Sequence, residues 1–130
     1  MTINLEKAVK IIDKAKAKAE DLEVSMSFAV FNEEQELISF QKMDKAPSLS
    51  VRLSQAKALT ALKLCCDTES LSYLVGKKDG VLRNIRYDNA VSLIGGGKLI
   101  LESGIITGAL GVSGGSEAQD IEVSAAAMVG

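Results

Sequence analysis

Few side chains in this chain could do chemistry, and the most unusual of them is a lysine in an apolar setting. Candidates for an acid, base or nucleophile are Asp44, Lys57, Thr60, Ser113 and Asp120. Lys57 follows a helical pattern that is otherwise mostly apolar. A catalytic lysine must be desolvated before its pKa falls, whereas a structural lysine extends its ammonium to solvent or to a subunit interface. Catalysis, if present, is predicted to use Lys57, Asp44 and Asp120.

Glycines are concentrated in the last third of the chain, as Gly95–Gly97 and Gly114–Gly115. Glycine marks positions where the backbone takes a positive φ or closely approaches another group. Gly95–Gly97 lacks the Lys-Ser/Thr of a phosphate loop, while Gly114–Gly115 precedes a helix start whose amides could bind an anion. Asp120 already places a negative charge in the first turn of that helix. The predicted ligand-binding residues are Gly95, Gly96, Gly97, Gly111, Ser113, Gly114 and Gly115, with a purely structural role of the glycines as an equal alternative.

Histidine is absent, and the two cysteines are neighbours, Cys65 and Cys66. The absence of histidine excludes a histidine general base, a histidine-based triad and a histidine metal ligand. No metal site is predicted. Adjacent cysteines rarely form a disulfide because its geometry is strained. Cys65 is predicted to be a small buried residue of a helix.

Composition and charge exclude several classes of partner. The 130 residues suit one domain, and 47% of them are hydrophobic. The net charge is −2, and aromatic residues make up only 4%, so nucleic-acid binding through charge and stacking is not expected. No apolar run is long enough to cross a membrane. The first residues enter a charged helical pattern without a signal-peptide core, which predicts a cytoplasmic protein.

Hydrophobic periodicity predicts alternating helices and hairpins. Helical spacing of apolar residues extends from Leu5 to Leu22, with lysines on the opposite side and Thr2 or Asn4 as the cap. The other predicted elements are strands at Ser25–Phe31 and Glu36–Met43, a helix at Ser50–Cys65, a short helix at Thr68–Gly76, a strand at Val91–Ile94, a hairpin of Leu99–Glu102 and Ile105–Ser113, and a final helix at Ser116–Val129 with a Ser116/Gln119 capping box. Hairpins dominate, so an α+β fold with a mainly antiparallel sheet is expected.

Two of these elements carry packing predictions. The helix at Ser50–Cys65 is apolar on most sides and should be buried on most sides. A second subunit is the simplest partner in so small a domain, which predicts a homo-oligomer. On the strand at Ile105–Ser113, one face becomes small towards Ala109 and Gly111. Either a closely packed helix or a ligand must fill that space, and the helix is favoured.

Several segments together resemble one family. They are Met43–Pro47, Ala56–Ala61, Gly95–Gly97, and Ile106–Gly115 followed by Gln119–Asp120. This pattern covers essentially the whole chain and is similar to that of the GlcG/HbpS family, which includes the C-terminal domain of PduO-type proteins. The resemblance implies one domain over residues 1–130, with a profilin-like three-layer α/β/α arrangement and a five-stranded, mainly antiparallel sheet. It also implies oligomers, haem binding in some members, and a link to glycolate, glycerol or propanediol utilisation.

The chain departs from the family pattern at three places. The first hairpin turn, Asn32–Glu36, is polar and acidic where relatives usually have Asp and Gly. Lys98–Leu99 follows Gly97 where relatives commonly have a hydrophobic residue and Pro. The third departure is the lack of histidine, on which haem contact in PduO-type relatives looks dependent. The residues that remain for haem iron are Tyr73, Tyr87, Met43 and Cys65.

These features predict a non-enzymatic accessory protein that binds a small molecule or a cofactor of haem or corrinoid type. One alternative is an enzyme that acts on a small oxygenated metabolite through Lys57, Asp44 and Asp120. Another is an assembly module whose oligomer is itself the function. A pocket beside Gly95–Gly97 or Gly111–Gly115 would favour a binding protein over the assembly module.

Overall fold

The structure is a computed structural model and describes residues 2–70 and 94–129 of the chain. In chain order, the elements are α1 (Leu5–Asp21), β1 (Ser27–Asn32), β2 (Leu37–Lys42), α2 (Leu49–Leu64), β3 (Gly97–Glu102), β4 (Ile105–Ser113) and α3 (Glu117–Ala126). The strands form a sheet in the order β2-β1-β4-β3, and each neighbouring pair is antiparallel. The predicted α+β class and antiparallel sheet are therefore confirmed.

Local signals in the sequence set several element boundaries. Asn4 caps α1, because its Oδ1 accepts a hydrogen bond from Lys7 N at 2.8 Å. The predicted capping box begins α3, with 3.2 Å between Gln119 N and Ser116 Oγ and 2.9 Å between Ser116 N and Gln119 Oε1. Ser103 and Gly104 both have a positive φ, at 53° and 80°, as a tight two-residue hairpin turn requires.

The sheet has four strands within the described residues, not the predicted five. The fifth strand was predicted at Val91–Ile94, of which only Ile94 is described, and Ile94 lies in a bend. Its carbonyl oxygen accepts a hydrogen bond from Thr68 Oγ1 at 2.9 Å instead of pairing with a strand. The helix predicted at Thr68–Gly76 is present over residues 68–70. Its remainder lies outside the described residues, as do Tyr73 and Tyr87.

Helices cover both faces of the sheet, which gives three layers. On one face, α1 and α3 pack on a core that includes Ile12, Met26, Phe28, Val30, Leu110, Val112 and Val123. On the other face, Ala58 and Ala61 of α2 pack against Ala29, Phe31 and Ala109. The two faces of β4 therefore divide between the cores as its alternating pattern predicts.

The small face of β4 is explained by the close approach of α2. A Cβ at Gly111 would overlap the carbonyl oxygen of Ser54 and lie 2.9 Å from Ala58 N. Close helix packing therefore fills the space above Ala109 and Gly111. The buried residues of α2 are Ser50, Ser54, Lys57, Ala58, Thr60 and Ala61. Small and polar side chains thus face the sheet, while Leu49 is exposed and Leu53 half-buried.

Cys65 corrects one prediction, because its side chain is exposed rather than buried. It ends α2 in the left-handed conformation, with φ of 53°. This conformation ends the helix at Cys65. Cys65 and Cys66 are both free thiols.

No helix in the described part of the chain combines the length and the apolar character needed to span a bilayer.

Candidate functional site

Two of the predicted catalytic residues, Lys57 and Asp120, meet in a buried ion pair. Lys57 Nζ lies 2.8 Å from Asp120 Oδ2 and donates a second hydrogen bond to Val112 O at 2.9 Å. Their side chains are only 2% and 4% exposed. Because the lysine is on α2 and the aspartate on α3, the pair connects helices that cover opposite faces of the sheet.

The surroundings of Asp120 satisfy both of its oxygens. Gly115 N donates to Oδ1 at 3.0 Å, and Lys57 occupies Oδ2. Burial raises the pKa of the Asp120 carboxyl, and the charge of Glu117 adds to this rise, while Lys57 and the Gly115 amide oppose it. Neither member of the pair is open to a substrate. The arrangement therefore fits a structural connection better than an acid–base site.

Sequence reasoning had singled out Lys57 and Asp120 separately but had not paired them. A usable signal was present, because a lysine that is buried in an apolar helix requires a counterion. The first-turn aspartate of the closing helix is that counterion. The prediction of a solvent-reaching or interface lysine is wrong, since Lys57 reaches neither.

Gly96 makes room for the ion pair. Its φ is 122°, and a Cβ there would lie 2.6 Å from Val112 O, 3.1 Å from Lys57 Nζ and 3.1 Å from Asp120 Cβ. Its own carbonyl oxygen accepts a hydrogen bond from Val112 N at 2.9 Å. Glycine is required here both by the conformation and by the lack of space.

Three other glycine amides are bound to side chains of the same protein. Gly95 N donates to Glu117 Oε2 at 2.8 Å, Gly97 N donates to Thr68 Oγ1 at 2.9 Å, and Gly115 N donates to Asp120. Carboxylate and hydroxyl oxygens thus take the positions that an anion would take. This pattern favours the structural alternative for these glycines.

The remaining predicted ligand-binding residues lie at the same end of the sheet. Gly111 is covered by α2, and Ser113 is 4% exposed and stands opposite Ser27 in the sheet. Gly114 has φ of 141°, and a Cβ there would lie 2.6 Å from Ser25 O. Ligand binding by the glycine-rich residues stays a prediction, since their geometry is explained by packing alone.

Asp44, the third predicted catalytic residue, is not brought to this pair. It lines an open cleft of about 340 Å³ together with Lys16, Glu20, Gln41, Lys42 and Met43. Asp44 thus shares this cleft with two lysines, a glutamate, a glutamine and a methionine. Thr60 is buried on α2 and donates to Ala56 O at 2.7 Å, so it also lies away from an open site.

A cleft that the sequence reading did not predict lies between α1, β3 and the end of α3. This α1–β3 cleft has a volume of about 420 Å³ and is lined by Lys7, Lys10, Ile11, Lys14, Ile100, Leu101, Glu102, Ala127 and Met128. The three lysines recur at helical spacing, which places them on one face of α1. The sequence showed this spacing and placed the lysines on the side of the helix opposite its apolar residues, but it did not indicate a cleft there.

A further cleft of about 480 Å³ lies beside the same strand. It is lined by Cys66, Asp67, Ser70, Lys98, Leu99, Leu101 and Met128. Asp67 Oδ2 pairs with Lys98 Nζ at 2.9 Å, and its Oδ1 accepts from Leu99 N at 2.9 Å. Burial raises the pKa of the Cys66 thiol, and the negative charges of Asp67 and Cys65 raise it further. A protonated thiol is a poor nucleophile and a poor metal ligand.

Comparison with known proteins connects this fold to one family. Residues 3–129 match the model of the HbpS-like family, which is described as "Haem degrading protein HbpS-like". A protein of Citrobacter freundii, described as an uncharacterized 15.0 kDa protein in the dhaT-dhaS intergenic region, is 32% identical over 121 residues. That alignment covers 92% of this chain and 84% of the relative.

Two solved structures resemble the whole chain. Klebsiella pneumoniae ORFY superposes with a TM-score of 0.91 at 26% identity, covering 98% of this chain and 89% of that one. The PduOC:haem complex superposes with a TM-score of 0.89 at 25% identity, covering 98% and 94% of the two chains. Sequence and fold agree over nearly the full length, and the chain belongs to the HbpS-like family.

Proposed function

We propose that this chain is a non-enzymatic accessory protein that binds a tetrapyrrole cofactor of haem or corrinoid type. The observation that carries the proposal is the likeness, over 98% of the chain, to a structure solved as a complex of PduOC with haem. The family description, which names haem as the molecule acted on, supports the same class of ligand.

The geometry of the predicted catalytic residues supports a non-enzymatic role. Lys57 and Asp120 are engaged with each other and with backbone groups, and both are buried. Asp44 lies in a different cleft beside lysines of α1 and β2. An enzyme acting on a small oxygenated metabolite would need these groups to face a common open space, which they do not.

The residues of this chain fit an amphipathic tetrapyrrole. The α1–β3 cleft combines an apolar floor with lysines, matching a hydrophobic ring that carries carboxylates. The thioether of Met128 lines this cleft and the neighbouring one, and methionine sulfur is an accepted haem-iron ligand. The Met43 sulfur already accepts a hydrogen bond from Met26 N at 3.3 Å. Bound haem would supply redox or oxygen chemistry, while these residues would supply binding and orientation.

Spectral titration tests the proposal directly. Purified protein is titrated with haemin and, separately, with hydroxocobalamin, and the absorbance change is followed to saturation. A saturable shift with one of the two is expected, at one equivalent per chain. The absence of a shift with both would overturn the proposal. If the Soret band of bound haem then decays faster than that of free haemin in dilute peroxide, the non-enzymatic part is wrong.

We further propose that the protein works as a homo-oligomer formed through the outer face of α2. Leu49 is 53% exposed, and Leu53 and Ala56 are half-buried, although small polar residues of the same helix are fully buried. Leucines on the outer side of a helix are typical of a surface that another subunit covers. Light scattering tests this association, and a stable monomer at micromolar concentration would contradict it.

We also propose a cytoplasmic role linked to glycolate, glycerol or propanediol utilisation, as the family resemblance implies. A strain lacking the gene should grow more slowly on at least one of these carbon sources than on glucose. Unchanged growth on all three would remove this link.

A further inference from the structure

We propose that Met43 is a site of reversible oxidation, at which conversion of its thioether to the sulfoxide releases the end of β2 from β1. This inference goes beyond cofactor binding and does not depend on it. Three observations support it: the Met43 sulfur replaces a backbone acceptor of the sheet, it lies at an open cleft, and its hydrogen-bond donor packs against the loop that precedes α3.

The Met43 sulfur takes the place of a carbonyl oxygen at the end of the β1–β2 ladder. The register that places Ser27 opposite Lys42 continues to Met26 and Met43, and Met43 N donates to Met26 O at 2.9 Å. In a hydrogen-bonded antiparallel pair, Met26 N would donate to Met43 O in return. It donates instead to Met43 Sδ at 3.3 Å. A side-chain sulfur thus completes the last hydrogen-bonded pair of these two strands.

The carbonyl group of Met43 is used by the turn that leads from β2 towards α2. Its oxygen accepts hydrogen bonds from Ala46 N at 3.0 Å and from Lys42 Nζ at 3.3 Å. Pro47 and Ser48 follow this turn and precede the first residue of α2. Because the carbonyl oxygen serves the turn, the thioether, which is a weak acceptor, becomes the partner of Met26 N.

Met43 is the member of this pair that an oxidant can reach. Its side chain is half-buried and lines the open cleft of about 340 Å³ beside Asp44. Met26 is fully buried, so its own thioether is protected. Met128 is also half-buried and lines two other clefts. Since Met128 lies outside the hydrogen-bonded pair, it provides a comparison for the effect of oxidation.

The reaction is a two-electron oxidation of the Met43 sulfur by a hydroperoxide such as hydrogen peroxide. The hydrogen bond from Met26 N engages one lone pair of the sulfur, and the second lone pair attacks an oxygen of the peroxide. A sulfur–oxygen bond forms as the oxygen–oxygen bond breaks. The departing hydroxide takes the proton of the transferred oxygen and leaves as water. Methionine sulfoxide reductases reverse the modification.

The sulfoxide does not fit the hydrogen bond that the thioether makes. Met26 N and Met43 Sδ are 3.3 Å apart, which is too close for an oxygen bonded to the sulfur to lie between them. If that oxygen accepts from Met26 N, Met43 must move outwards, and if it lies elsewhere, the donor loses its acceptor. Both arrangements weaken the last pair of the β1–β2 ladder, as polar sulfoxides do in packed surroundings.

Met26 connects this pair to the loop that precedes α3. A Cβ at Gly114 would lie 2.8 Å from Met26 Cα, and a Cβ at Gly115 would lie 2.9 Å from Met26 Cε. Gly115 N in turn donates to Asp120 Oδ1 at 3.0 Å. A displacement of Met26 would therefore disturb the loop that holds the buried ion pair, which makes the modification a local event with a wider structural effect.

Two variants, Met43→Leu and Met128→Leu, test the proposal, and both conserve side-chain volume. Purified protein without added cofactor is treated with hydrogen peroxide, and peptide mass spectrometry locates the added oxygen, including any at Met1, which lies outside the described residues. Amide hydrogen exchange of Met26 is then measured by NMR. The amide of Asn32, which donates to Glu36 O at the other end of the same hairpin, is the internal control.

Peroxide should oxidise Met43 and Met128 of the wild type before Met26. In Met128→Leu, oxidation should speed exchange of the Met26 amide about tenfold and lower the Tm by about 4 °C, with Asn32 unchanged within about twofold. A methionine sulfoxide reductase should restore both values. Met43→Leu should exchange its Met26 amide rapidly without peroxide and should not respond to it.

Three results would overturn the proposal. The first is oxidation of Met26 ahead of Met43, and the second is oxidation of Met43 that leaves exchange of the Met26 amide unchanged. The third is slow exchange of that amide in Met43→Leu, which would show that the sulfur is not its acceptor. If Met43→Leu does not fold, as judged by circular dichroism, the first two results in Met128→Leu still decide the question.

Discussion

Lys57 and Asp120 form a buried ion pair in which each charge contacts the opposite charge and one backbone group. The ammonium contacts Asp120 and Val112 O, and the carboxylate contacts Lys57 and Gly115 N. Removing both charges from water costs desolvation free energy, and their mutual attraction offsets this penalty only while both charges are present. The pair is therefore strongly coupled without being a large net source of stability.

A double-mutant cycle on this pair should show that coupling. Lys57→Met or Asp120→Asn alone should lower the free energy of unfolding by about 3–5 kcal/mol, because each leaves a buried polar group without its partner. The double variant should lose much less than the sum of the two. Urea unfolding followed by circular dichroism, at one fixed protein concentration, measures all four proteins.

A partly exposed ion pair serves as the control for this cycle. Lys18 Nζ lies 3.2 Å from Glu122 Oε2, and their side chains are 34% and 52% exposed. Lys18→Met should lower the free energy of unfolding by at most about 1 kcal/mol. Additive losses in the Lys57/Asp120 cycle would show that the buried pair is not coupled.

The Cys66 thiol gives a pH-dependent prediction. Burial and the charges of Asp67 and Cys65 disfavour its thiolate, so its pKa lies above the ordinary value. In a Cys65→Ser variant, alkylation of native Cys66 by iodoacetamide should require more alkaline pH than alkylation of the same variant unfolded in urea. Asp67→Asn should move the native midpoint back towards the unfolded one. A native midpoint at or below the unfolded one would contradict this.

At the scale of elements, the glycines on β3, β4 and the loops are explained mainly by how closely helices and strands approach. Gly111 lies under α2 and Gly96 beside the ion pair, and both lack room for a side chain. Gly104 differs, because its φ is 80° but no atom lies within 4 Å of where its Cβ would be. The cost of lacking space for a side chain and the cost of a positive φ can therefore be measured separately, at Gly111 and Gly104.

Gly111→Ala should destabilise the protein by about 3 kcal/mol, since the added methyl would force α2 away from β4. Gly104→Ala should cost about 1 kcal/mol, because only the left-handed conformation is disfavoured there. Thermal unfolding of both variants at equal concentration gives the comparison. Equal losses of stability in the two variants would mean that the close approach of α2 is not the reason for glycine at position 111.

The sequence predicted those features that depend on neighbouring residues. The Asn4 cap, the Ser116/Gln119 box and the hairpin turn at Ser103–Gly104 each form from side chains or dihedrals within a few positions. Alternation on β4 likewise distinguished its small face, which α2 covers, from its larger face. These features depend on local preferences, which can be predicted from the sequence without knowledge of the tertiary structure.

The features that sequence reading missed depend on distant residues. Lys57 and Asp120 are 63 positions apart, and the α1–β3 cleft takes its lining from three elements. Cys65 was predicted to be buried because a free cysteine usually behaves as a small buried residue, whereas the helix ends there with a positive φ and its side chain is exposed. No periodicity within one segment determines which surfaces meet.

At the scale of the whole molecule, the first half of α2 has its small polar residues inside and two of its leucines towards the outside. Ser50 and Ser54 are buried, while Leu49 is 53% exposed and Leu53 is half-buried. A monomer would leave these leucines in water. The homo-oligomer proposed above would cover them with a second copy of the chain.

Leu49→Glu/Leu53→Glu should therefore reduce the molar mass in solution to that of a monomer, because it places two charges in the contact. Leu5→Glu is the control, since Leu5 is 59% exposed and lies at the start of α1. Light scattering at several concentrations measures both variants. An unchanged oligomer in the α2 variant would show that subunits meet elsewhere.

The ion pair across the sheet also bears on the order in which this protein can fold during synthesis. Lys57 emerges from the ribosome with α2, whereas its counterion is in α3, the final helix of the chain. Until α3 arrives, tight docking of α2 onto β4 would desolvate an unpaired ammonium, which is unfavourable. We therefore expect tight docking of α2 onto β4 to become favourable only after α3 has been synthesised and Asp120 can pair with Lys57.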